Sequence, residues 1–379
     1  MSGEAGLVDA TAAQEQRFAQ PFRLLDNAIQ RQVFPGAALA VALRGELLAW
    51  RACGRFTYES DSPSNPALNP EVTRETIWDL ASLTKPIATT SMAMLLHERG
   101  RLPLDAKVAE LLPEFALPQF ADEAQREWRE AVTVRMLLAH SSGLPAHRKL
   151  YLEAFGREAV TALAMRVPLE TAPMQHAEYS DIGFILLGEI LQRIAAEPLD
   201  IFCQREIFTP LKCLFSFTPQ PPLLFDVPPT MYDAAYRRRV IQGEVNDENA
   251  SAMGGIAGHA GLFGDALSVA RFAQCLLRRG LPLFKPETVE LFTSRQSEPP
   301  GTSRALGWDT PSAPSQSGTR FSARSFGHLG YTGTSLWCDP ERGLSITLLT
   351  NRTWPDARNQ AIKELRPLLH DAIVNALTD

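Results

Sequence analysis

The sequence lacks the cysteine and histidine patterns that mark disulfide scaffolds and metal sites. Its five cysteines are odd in number and widely spaced, and no two form a Cys-x-x-Cys pair. This pattern excludes a disulfide framework and a zinc knuckle, and it predicts buried thiols in a reducing compartment. The seven histidines form no His-Glu-x-x-His motif. We therefore expect neither a catalytic metal nor another cofactor.

The sequence also lacks a long hydrophobic run and a cluster of positive charge. Its longest apolar stretches, such as GAALAVAL from Gly36, are far shorter than the roughly 20 residues of a spanning helix, so no membrane span is expected. The start, MSGEAGLVDATAAQEQRF, has neither the basic beginning nor the apolar core of a secretory signal, which predicts a cytoplasmic location. The net charge is −6, and apart from Arg237–Arg239 the basic residues are scattered. Nucleic-acid binding is therefore disfavoured.

The remaining composition is that of an ordinary globular protein. Hydrophobic residues make up 45% of the 379 residues and charged residues 21%. At about 100 to 200 residues per domain, this length allows one large domain or two. Lysine is scarce, with six residues among the 37 basic ones. A lysine in a chemically suggestive position is therefore informative.

The two ends of the chain carry the strand signals. After an amphipathic helical stretch over residues 11–32, GAALAVAL and ELLAWRA flank Arg44-Gly45, which predicts a β-hairpin. The first of these strands is apolar at successive positions, so helices should cover both of its faces. Near the other end, TSLWCD and LSITLLTN flank a turn over residues 340–343, and a last amphipathic helix is predicted over residues 355–377.

Helical signals dominate between these ends, from about Ser82 to Pro210. The pattern predicts an α+β fold in which one antiparallel sheet is built from both chain ends, is flanked by helices and carries an inserted helical subdomain. We expect a single catalytic domain over residues 1–379, with its sheet part over about 11–75 and 245–379 and its helical part over about 76–244. Proline-rich loops are expected at 60–70, 219–229 and 298–314, the last as an exposed and mobile excursion.

Ser82 and Lys85 form the first candidate chemical pair. They are three residues apart in DLASLTKPIATTSMAMLL, so the hydroxyl and the amine face the same side of a helix. A serine hydroxyl needs a neighbouring base to become a nucleophile, and amides at a helix N-terminus stabilise an oxyanion. Ser-x-x-Lys alone is a weak signal. The competing interpretation is an N-capping Ser82 and a solvent-facing Lys85.

Two further segments supply residues for a pocket. Tyr179 lies in a Tyr-Ser-Asp sequence just ahead of the helix GFILLGEIL, and His328 opens the glycine-rich strand HLGY, where a substrate can approach the backbone. Each also has a structural explanation. Ser180 or Asp181 suits a helix cap, Tyr179 a packed aromatic, and His328 a surface histidine.

Taken together, these motifs carry a family resemblance. The stretches are WDLASLTKP, VRMLLAHSSGLP, YSDIGFILLGEIL, AMGGIAGHAGLFG, GHLGYTGTSLWCDP and LLTNRTWP, in order from about Ala37 to the last helix. In them the chain resembles the serine β-lactamase and penicillin-binding-protein superfamily, in the branch of class C β-lactamases, DD-peptidases and related esterases. The resemblance implies a β-lactamase/transpeptidase-like fold, with terminal helices on one face of a mixed sheet and a helical subdomain on the other.

The resemblance also implies roles for individual residues. Ser82 would attack a carbonyl and become acylated, while Lys85 and Tyr179 would share the general-base and general-acid work. The backbone amides of Ser82 and Tyr331 would form the oxyanion hole. The residues implied on the substrate side are Asp181, His328, Gly330 and Asn351, although capping or turn formation explains Asn351 as well.

Two departures from the family pattern matter for mechanism. Asp181 stands where class C enzymes have asparagine, and its carboxylate should keep Lys85 protonated. We therefore hypothesise that Tyr179 is the working base and that Lys85 is a fixed charge that lowers the pKa of the phenol. His328 replaces a lysine and is mostly neutral at pH 7. It should bind a substrate carboxylate less well than lysine does, which favours neutral esters over penicillins.

The sequence therefore predicts a serine hydrolase that acts through an acyl-enzyme on small esters or amides. The alternatives are β-lactamase or D-Ala-D-Ala carboxypeptidase activity and a non-catalytic binding protein with the same fold. The expected partner is a small-molecule ester, amide or β-lactam. The loop MGGIAGHAGLFG lacks the ending of a phosphate-binding loop and is expected to pack its backbone closely beside the site, with His259 as a less favoured pocket residue.

Overall fold

The computed structural model describes residues 6–61, 69–116, 123–219 and 226–378. Its strands are β1 Val8–Asp9, β2 Gly36–Leu43, β3 Glu46–Gly54, β4 Trp78–Asp79, β5 Met231–Asp233, β6 Arg239–Ile241, β7 Phe263–Gly264, β8 Phe326–Leu329, β9 Ser335–Asp339 and β10 Leu344–Thr350. Its α-helices are α1 Gln14–Arg17, α2 Ala19–Gln30, α3 Ser91–Glu98, α4 Val108–Leu111, α5 Glu123–Ala131, α6 Val134–Leu138, α7 Arg157–Arg166, α8 Asp181–Ala195, α9 Leu199–Cys203, α10 Glu248–Ala252, α11 Ala266–Leu277, α12 Pro286–Thr293 and α13 Ile362–Thr378.

One six-stranded sheet joins the two ends of the chain, as the sequence predicts. Its strand order is β1-β3-β2-β10-β9-β8. The neighbouring strands are antiparallel except for β1, which pairs in parallel with β3. The central contact is between β2 and β10, where Ala37 lies opposite Thr350 and Leu43 opposite Leu344. This pairing confirms that the sheet is assembled from residues about 300 positions apart.

The sheet separates two hydrophobic cores, because successive side chains of a strand point to opposite faces. Leu39 and Val41 of β2 pack with residues of α2 and α13, whereas Ala38 and Ala40 belong to the core shared with α11 and the helical part of the chain. All residues of β2 except the last are buried. The prediction that helices cover both faces is therefore confirmed, and the mixed α/β architecture with it.

Three local expectations need correction or restriction. The last helix begins at Ile362 rather than near 355, and in the segment before it the carbonyls of Ala357 and Asn359 accept hydrogen bonds from the Arg352 side chain. The segment 298–314 is not a free excursion, since Trp308 is only 1% exposed. The proline-rich loops predicted at 60–70 and 219–229 fall in part on 62–68 and 220–225, outside the described residues.

The assignment of residues 1–379 to a single domain, with the stated sheet and helical parts, stays a prediction. Within the described ranges, no helix is both long and apolar enough to cross a membrane.

Candidate active site

Ser82 lies on a tightly held turn between the short strand β4 and the helical segment that follows. Residues Ala81–Leu83 form one 3₁₀ turn, and Ala81 has a left-handed φ of 47°. The buried carboxylate of Asp79 holds this turn by accepting the amides of Ala81 (2.8 Å) and Asn246 (2.7 Å). Burial raises the pKa of Asp79 to about 6. The left-handed residue and the carboxylate together fix the direction of the Ser82 hydroxyl.

Lys85 is the most constrained cation of the site. Its side chain is 0% exposed and begins a π-helical turn over Lys85–Thr90, where Pro86 needs no hydrogen-bonded amide. Its Nζ donates to Asp181 Oδ1 at 2.6 Å, to the carbonyl of His259 at 2.9 Å and to Ser82 Oγ at 3.1 Å. Three acceptors match the three hydrogens of an ammonium group. The competing interpretation of a solvent-facing lysine is wrong.

The charges around Lys85 keep its amino group protonated. Burial alone lowers the pKa of Lys85, but the charges and hydrogen bonds of Asp181 and Tyr179 outweigh it, so the net pKa is raised. Burial likewise raises the pKa of Asp181 taken alone, and the ion pair with Lys85 together with the His147 contact reverses that shift to a net lowering. The predicted effect of Asp181, a protonated lysine, agrees with this geometry.

Tyr179 completes the group around the serine hydroxyl. Its phenol donates a 2.7 Å hydrogen bond to Ser82 Oγ, and Lys85 Nζ lies 4.7 Å from the centre of its ring. Burial raises the pKa of Tyr179, and the opposing effect of Lys85 is not large enough to reverse this shift. The hypothesis that Lys85 lowers the pKa of the phenol agrees in direction with this site, while burial and the Asp181 charge keep the net pKa raised.

The residue that caps helix α8 is Ser180. Its Oγ accepts the amide of Gly183 at 3.0 Å. Asp181 occupies the first turn of the same helix, and its carboxylate faces Lys85 instead of a backbone amide. Ser180 therefore caps the helix, and Asp181, the other cap that the sequence offered, forms the ion pair with Lys85.

The loop that carries Tyr331 is fastened to the Ser82 turn. Thr332 Oγ1 donates to the carbonyl of Asp79 at 2.8 Å, and Thr334 Oγ1 donates to the carbonyl of Leu80 at 3.0 Å. At Gly330 a Cβ atom would lie 2.0 Å from Thr334 Oγ1, so only glycine fits there. These contacts bring the loop after β8 beside the turn before Ser82. The oxyanion roles of the Ser82 and Tyr331 amides stay predictions.

His328 lies in the site but is not a surface histidine. It is 4% exposed, its ring centre is 6.0 Å from that of Tyr179, and its Nδ1 is 2.8 Å from the carbonyl oxygen of Leu329. Burial lowers the pKa of His328 to about 3, and the charges of Lys85 and Arg304 add to this shift. His328 is therefore neutral at pH 7, as the sequence predicts.

Asn351 is held by two loops at the end of β10. It is buried, and its Nδ2 donates to the carbonyls of Phe56 (2.7 Å) and Pro229 (2.9 Å). Both amide hydrogens are thus used to tie two loops to the end of β10. This arrangement gives Asn351 a structural role that is neither the capping nor the turn formation offered by the sequence, and its substrate-side role stays a prediction.

His140 belongs to the site and was not singled out as one of its residues. Its ring lies 4.7 Å from the Tyr179 ring and 5.0 Å from the Phe184 ring, and its Nδ1 accepts the amide of Ser180 at 3.0 Å. Burial holds the pKa of His140 well below its ordinary value. His140 thus positions Tyr179 as a neutral ring. Its left-handed φ of 55° is invisible in the sequence.

The glycine loop around His259 packs closely beside the site, which confirms that prediction. At Gly258 a Cβ atom would lie 2.2 Å from the carbonyl oxygen of Phe184. The His259 carbonyl accepts a hydrogen bond from Lys85 Nζ. The His259 side chain points elsewhere, with Nε2 2.7 Å from Asp247 Oδ1. His259 therefore contributes to the site through its backbone carbonyl, which accepts a hydrogen bond from Lys85.

One mixed group of side chains has the composition of a metal site. Ligand atoms of His147, Asp181 and Asp247 lie within 4.8 Å of one another. However, the Lys85 ammonium is already 2.6 Å from the Asp181 carboxylate, and its charge repels a cation at that place. This geometry gives no reason to assign a metal to the group.

Comparisons with known proteins identify relatives of this chain. The sequence model of the Beta-lactamase family matches residues 22–369. An N-acetylmuramyl-L-alanine amidase of Bacillus subtilis (strain 168) is 32% identical over 384 residues, which cover 92% of this chain and 84% of that protein. A putative D-alanyl-D-alanine carboxypeptidase of Escherichia coli (strain K12) is 30% identical, over 86% of this chain and 81% of that protein.

Solved structures share the fold at lower sequence identity. EstCE1, a hydrolase with promiscuous acyltransferase activity, has a TM-score of 0.72 and 22% identity, over 94% of this chain and all of that one. The octameric penicillin-binding protein homologue from Pyrococcus abyssi has a TM-score of 0.68 and 20% identity, over 95% of this chain and 77% of that one.

Proposed function

The chain belongs to the beta-lactamase family of serine hydrolases, and from this premise we propose that it cleaves small esters and amides through an acyl-enzyme on Ser82. The observation that carries the proposal is the environment of one atom. Ser82 Oγ lies 2.7 Å from the Tyr179 hydroxyl and 3.1 Å from Lys85 Nζ. A serine hydroxyl becomes an activated nucleophile when an acid-base group and a cation lie within hydrogen-bond distance of it, and Ser82 has both.

In the proposed reaction, proton transfer to and from Tyr179 accompanies each bond change. A deprotonated Tyr179 takes the proton of Ser82 as Oγ bonds to the substrate carbonyl carbon. When the bond from this carbon to the leaving oxygen or nitrogen breaks, Tyr179 returns the proton to the leaving group. In the second half, Tyr179 accepts a proton from the water that attacks the acyl-enzyme and returns it to Ser82. Water is the only co-reactant.

Tyr179 is favoured over Lys85 as the base because of the hydrogen bonds in the resting site. Lys85 donates to three acceptors and has no lone pair to offer while it is an ammonium ion. Its role is then to stabilise the phenolate form of Tyr179, whose ring lies 4.7 Å away. Because the pKa of Tyr179 is raised in the resting site, the active form is a minority at neutral pH and the rate should increase into the alkaline range.

Asp181→Asn is expected to move this alkaline rise of acylation to lower pH. The Asp181 charge raises the pKa of Tyr179 and that of Lys85, so a neutral amide at this position lets both groups lose their protons at lower pH. The measurement is the pH dependence of kcat/KM for a nitrophenyl ester. An unshifted profile in a variant that unfolds like the wild type would remove support for the proposed division of labour.

The neutral His328 favours esters and amides over β-lactams as substrates. We expect a short-chain nitrophenyl ester to be hydrolysed with a higher kcat/KM than a cephalosporin, and the intact mass to show an adduct after treatment with a fluorophosphonate. A cephalosporin turned over far faster than the ester would reverse this ranking. Absence of any adduct and of any turnover would favour the non-catalytic alternative.

A second candidate, the cleavage of an amide bond in a cell-wall peptide, is favoured by the sequence relatives. The Bacillus subtilis amidase and the Escherichia coli putative carboxypeptidase are both about a third identical to this chain over most of their length. The same Ser82 chemistry serves an amide, provided that Tyr179 protonates the leaving nitrogen. The substrate panel should therefore include an N-acetylmuramyl-L-alanine amide and a peptide ending in D-Ala-D-Ala.

A further inference from the structure

A second carboxylate lies beside the ion pair of Lys85 and Asp181. One ligand atom each of His147, Asp181 and Asp247 lies within 4.8 Å of the other two, so the carboxylates of Asp181 and Asp247 are close neighbours. Their side chains are only 18% and 22% exposed. Lys85 brings one positive charge to these two negative ones. Like charges this close repel each other, so the pair calls for a second positive charge.

His147 is placed to supply that charge. Its Nδ1 lies 3.8 Å from Asp181 Oδ2, whereas Lys85 Nζ binds the other oxygen, Oδ1, at 2.6 Å. The two oxygens of Asp181 thus face two different nitrogens. The second carboxylate is contacted by His259, whose Nε2 lies 2.7 Å from Asp247 Oδ1. The His147 side chain is 40% exposed, so its ring can exchange protons with the solvent.

Two helices bring acidic groups to His147. Asp181 lies in the first turn of α8, Asp247 caps α10, and Glu248 lies in the first turn of α10. These groups raise the pKa of His147, the contact with Asp181 being the largest cause, and burial does not reverse the shift. An ordinary histidine titrates near pH 6.5. His147 is therefore mostly protonated at pH 6 and becomes neutral as the pH rises above its raised pKa.

From this geometry we infer that His147 is a positioning residue for Asp181: while protonated, its ring balances the charge of that carboxylate and so helps Tyr179 to lose its proton. The inference rests on the proposed function, because it takes Tyr179 as the base. The Asp181 charge opposes deprotonation of Tyr179, and a cation on the far oxygen of Asp181 reduces this opposition. When His147 becomes neutral, the opposition returns in full. Over that interval the rate should rise less steeply with pH than a single base requires.

Four groups around Tyr179 keep their charge between pH 6 and pH 9. Lys85 Nζ and the guanidinium carbon of Arg304 lie 4.7 and 5.5 Å from the centre of its ring. The pKa of Lys85 is raised, and arginine stays protonated over this range. The rings of His140 and His328 lie beside the phenol, and burial lowers the pKa of both, so they stay neutral. Titration of these four groups therefore does not interfere with that of His147.

The test compares a permanently neutral and a permanently charged residue at position 147, with kcat/KM for a nitrophenyl ester measured at pH 6 and pH 9. We expect His147→Gln to be about 3- to 10-fold slower than the wild type at pH 6 and equal to it at pH 9. His147→Lys should equal the wild type at pH 6 and be about 3- to 10-fold faster at pH 9. An opposite charge within about 4–6 Å changes a pKa by about 1–3, and His147 acts from the far side of Asp181, so the lower end applies.

Two controls accompany these variants. His97→Gln removes a half-buried imidazole at the end of α3, and it should match the wild type at both pH values. In the Asp181→Asn background, the change that His147→Gln causes should begin at lower pH, because His147 has lost the contact that raises its pKa. Titrations that the compared proteins share, such as that of Asp79, whose pKa is about 6, cancel in the ratio of their rates.

Two results would overturn the inference. One is a His147→Gln protein that is slower than the wild type by the same factor at both pH values, which would make His147 a structural support. The other is equal rates for the wild type and both variants at pH 6 and pH 9, which would mean that the charge at position 147 does not reach Tyr179. Failure of the proposed function gives a separate result, since the wild type would then form no fluorophosphonate adduct and hydrolyse no ester.

Discussion

Ser82→Ala is expected to lower kcat/KM for the preferred ester by about 10⁴-fold or more, the scale of loss when a catalytic serine is removed. Without Oγ no covalent intermediate forms, so the fluorophosphonate adduct should disappear from the intact-mass spectrum. Stability should change by only about 1 kcal/mol, because Lys85 keeps its bonds to Asp181 and to the His259 carbonyl. The variant thus separates catalysis from folding.

The control for this experiment is Ser294→Ala, which removes an exposed serine at the end of α12. It should label and turn over like the wild type. An adduct that persists at an unchanged rate in Ser82→Ala would show that another residue is the nucleophile, and the proposed role of Ser82 would have to be withdrawn.

Lys85→Met is expected to abolish activity and to destabilise the protein. Methionine has nearly the same length but neither charge nor donors, so the Asp181 carboxylate loses its 2.6 Å partner while it remains largely enclosed. Removing one member of a buried ion pair costs about 3–5 kcal/mol, because the remaining charge is uncompensated. The loss of kcat/KM should be about 10³-fold or more, since the phenolate of Tyr179 loses its stabilising cation.

The double variant Lys85→Met with Asp181→Asn distinguishes these two effects. Replacing the unpaired carboxylate by an amide removes the buried charge, so much of the lost free energy of unfolding should return while activity stays absent. Urea unfolding gives the stability, and ester turnover gives the activity. A double variant that regained activity would mean that Lys85 is not part of the reaction. A Lys85→Met protein as stable as the wild type would mean that the pair is not energetically coupled.

The sequence predicted those parts of the site that depend on local spacing. Ser82 and Lys85 are three residues apart, and their side chains meet as that spacing requires. The hairpin around Arg44 and the pairing of both chain ends in one sheet also followed from periodicity and turn residues, because alternation and 3.6-residue repeats are properties of the chain itself.

Contacts between distant residues were beyond the reach of such patterns. The sequence offered both Ser180 and Asp181 as caps, and only the fold shows that Ser180 caps α8 while Asp181 binds Lys85. It left Asn351 open between a substrate-side residue and a cap or turn, and only the structure shows its amide joining the loops at Phe56 and Pro229.

By itself, the sequence determined the family motifs, the strands near both chain ends and the proximity of Ser82 and Lys85. The sequence also predicted a protonated Lys85 and a neutral His328, but only the tertiary structure showed the contacts that set these states and placed Arg304 beside Tyr179. The physical reason is that protonation depends on burial and on charges within a few ångströms. Those neighbours come from parts of the chain that are about 100 to 240 residues apart, and only folding brings them together.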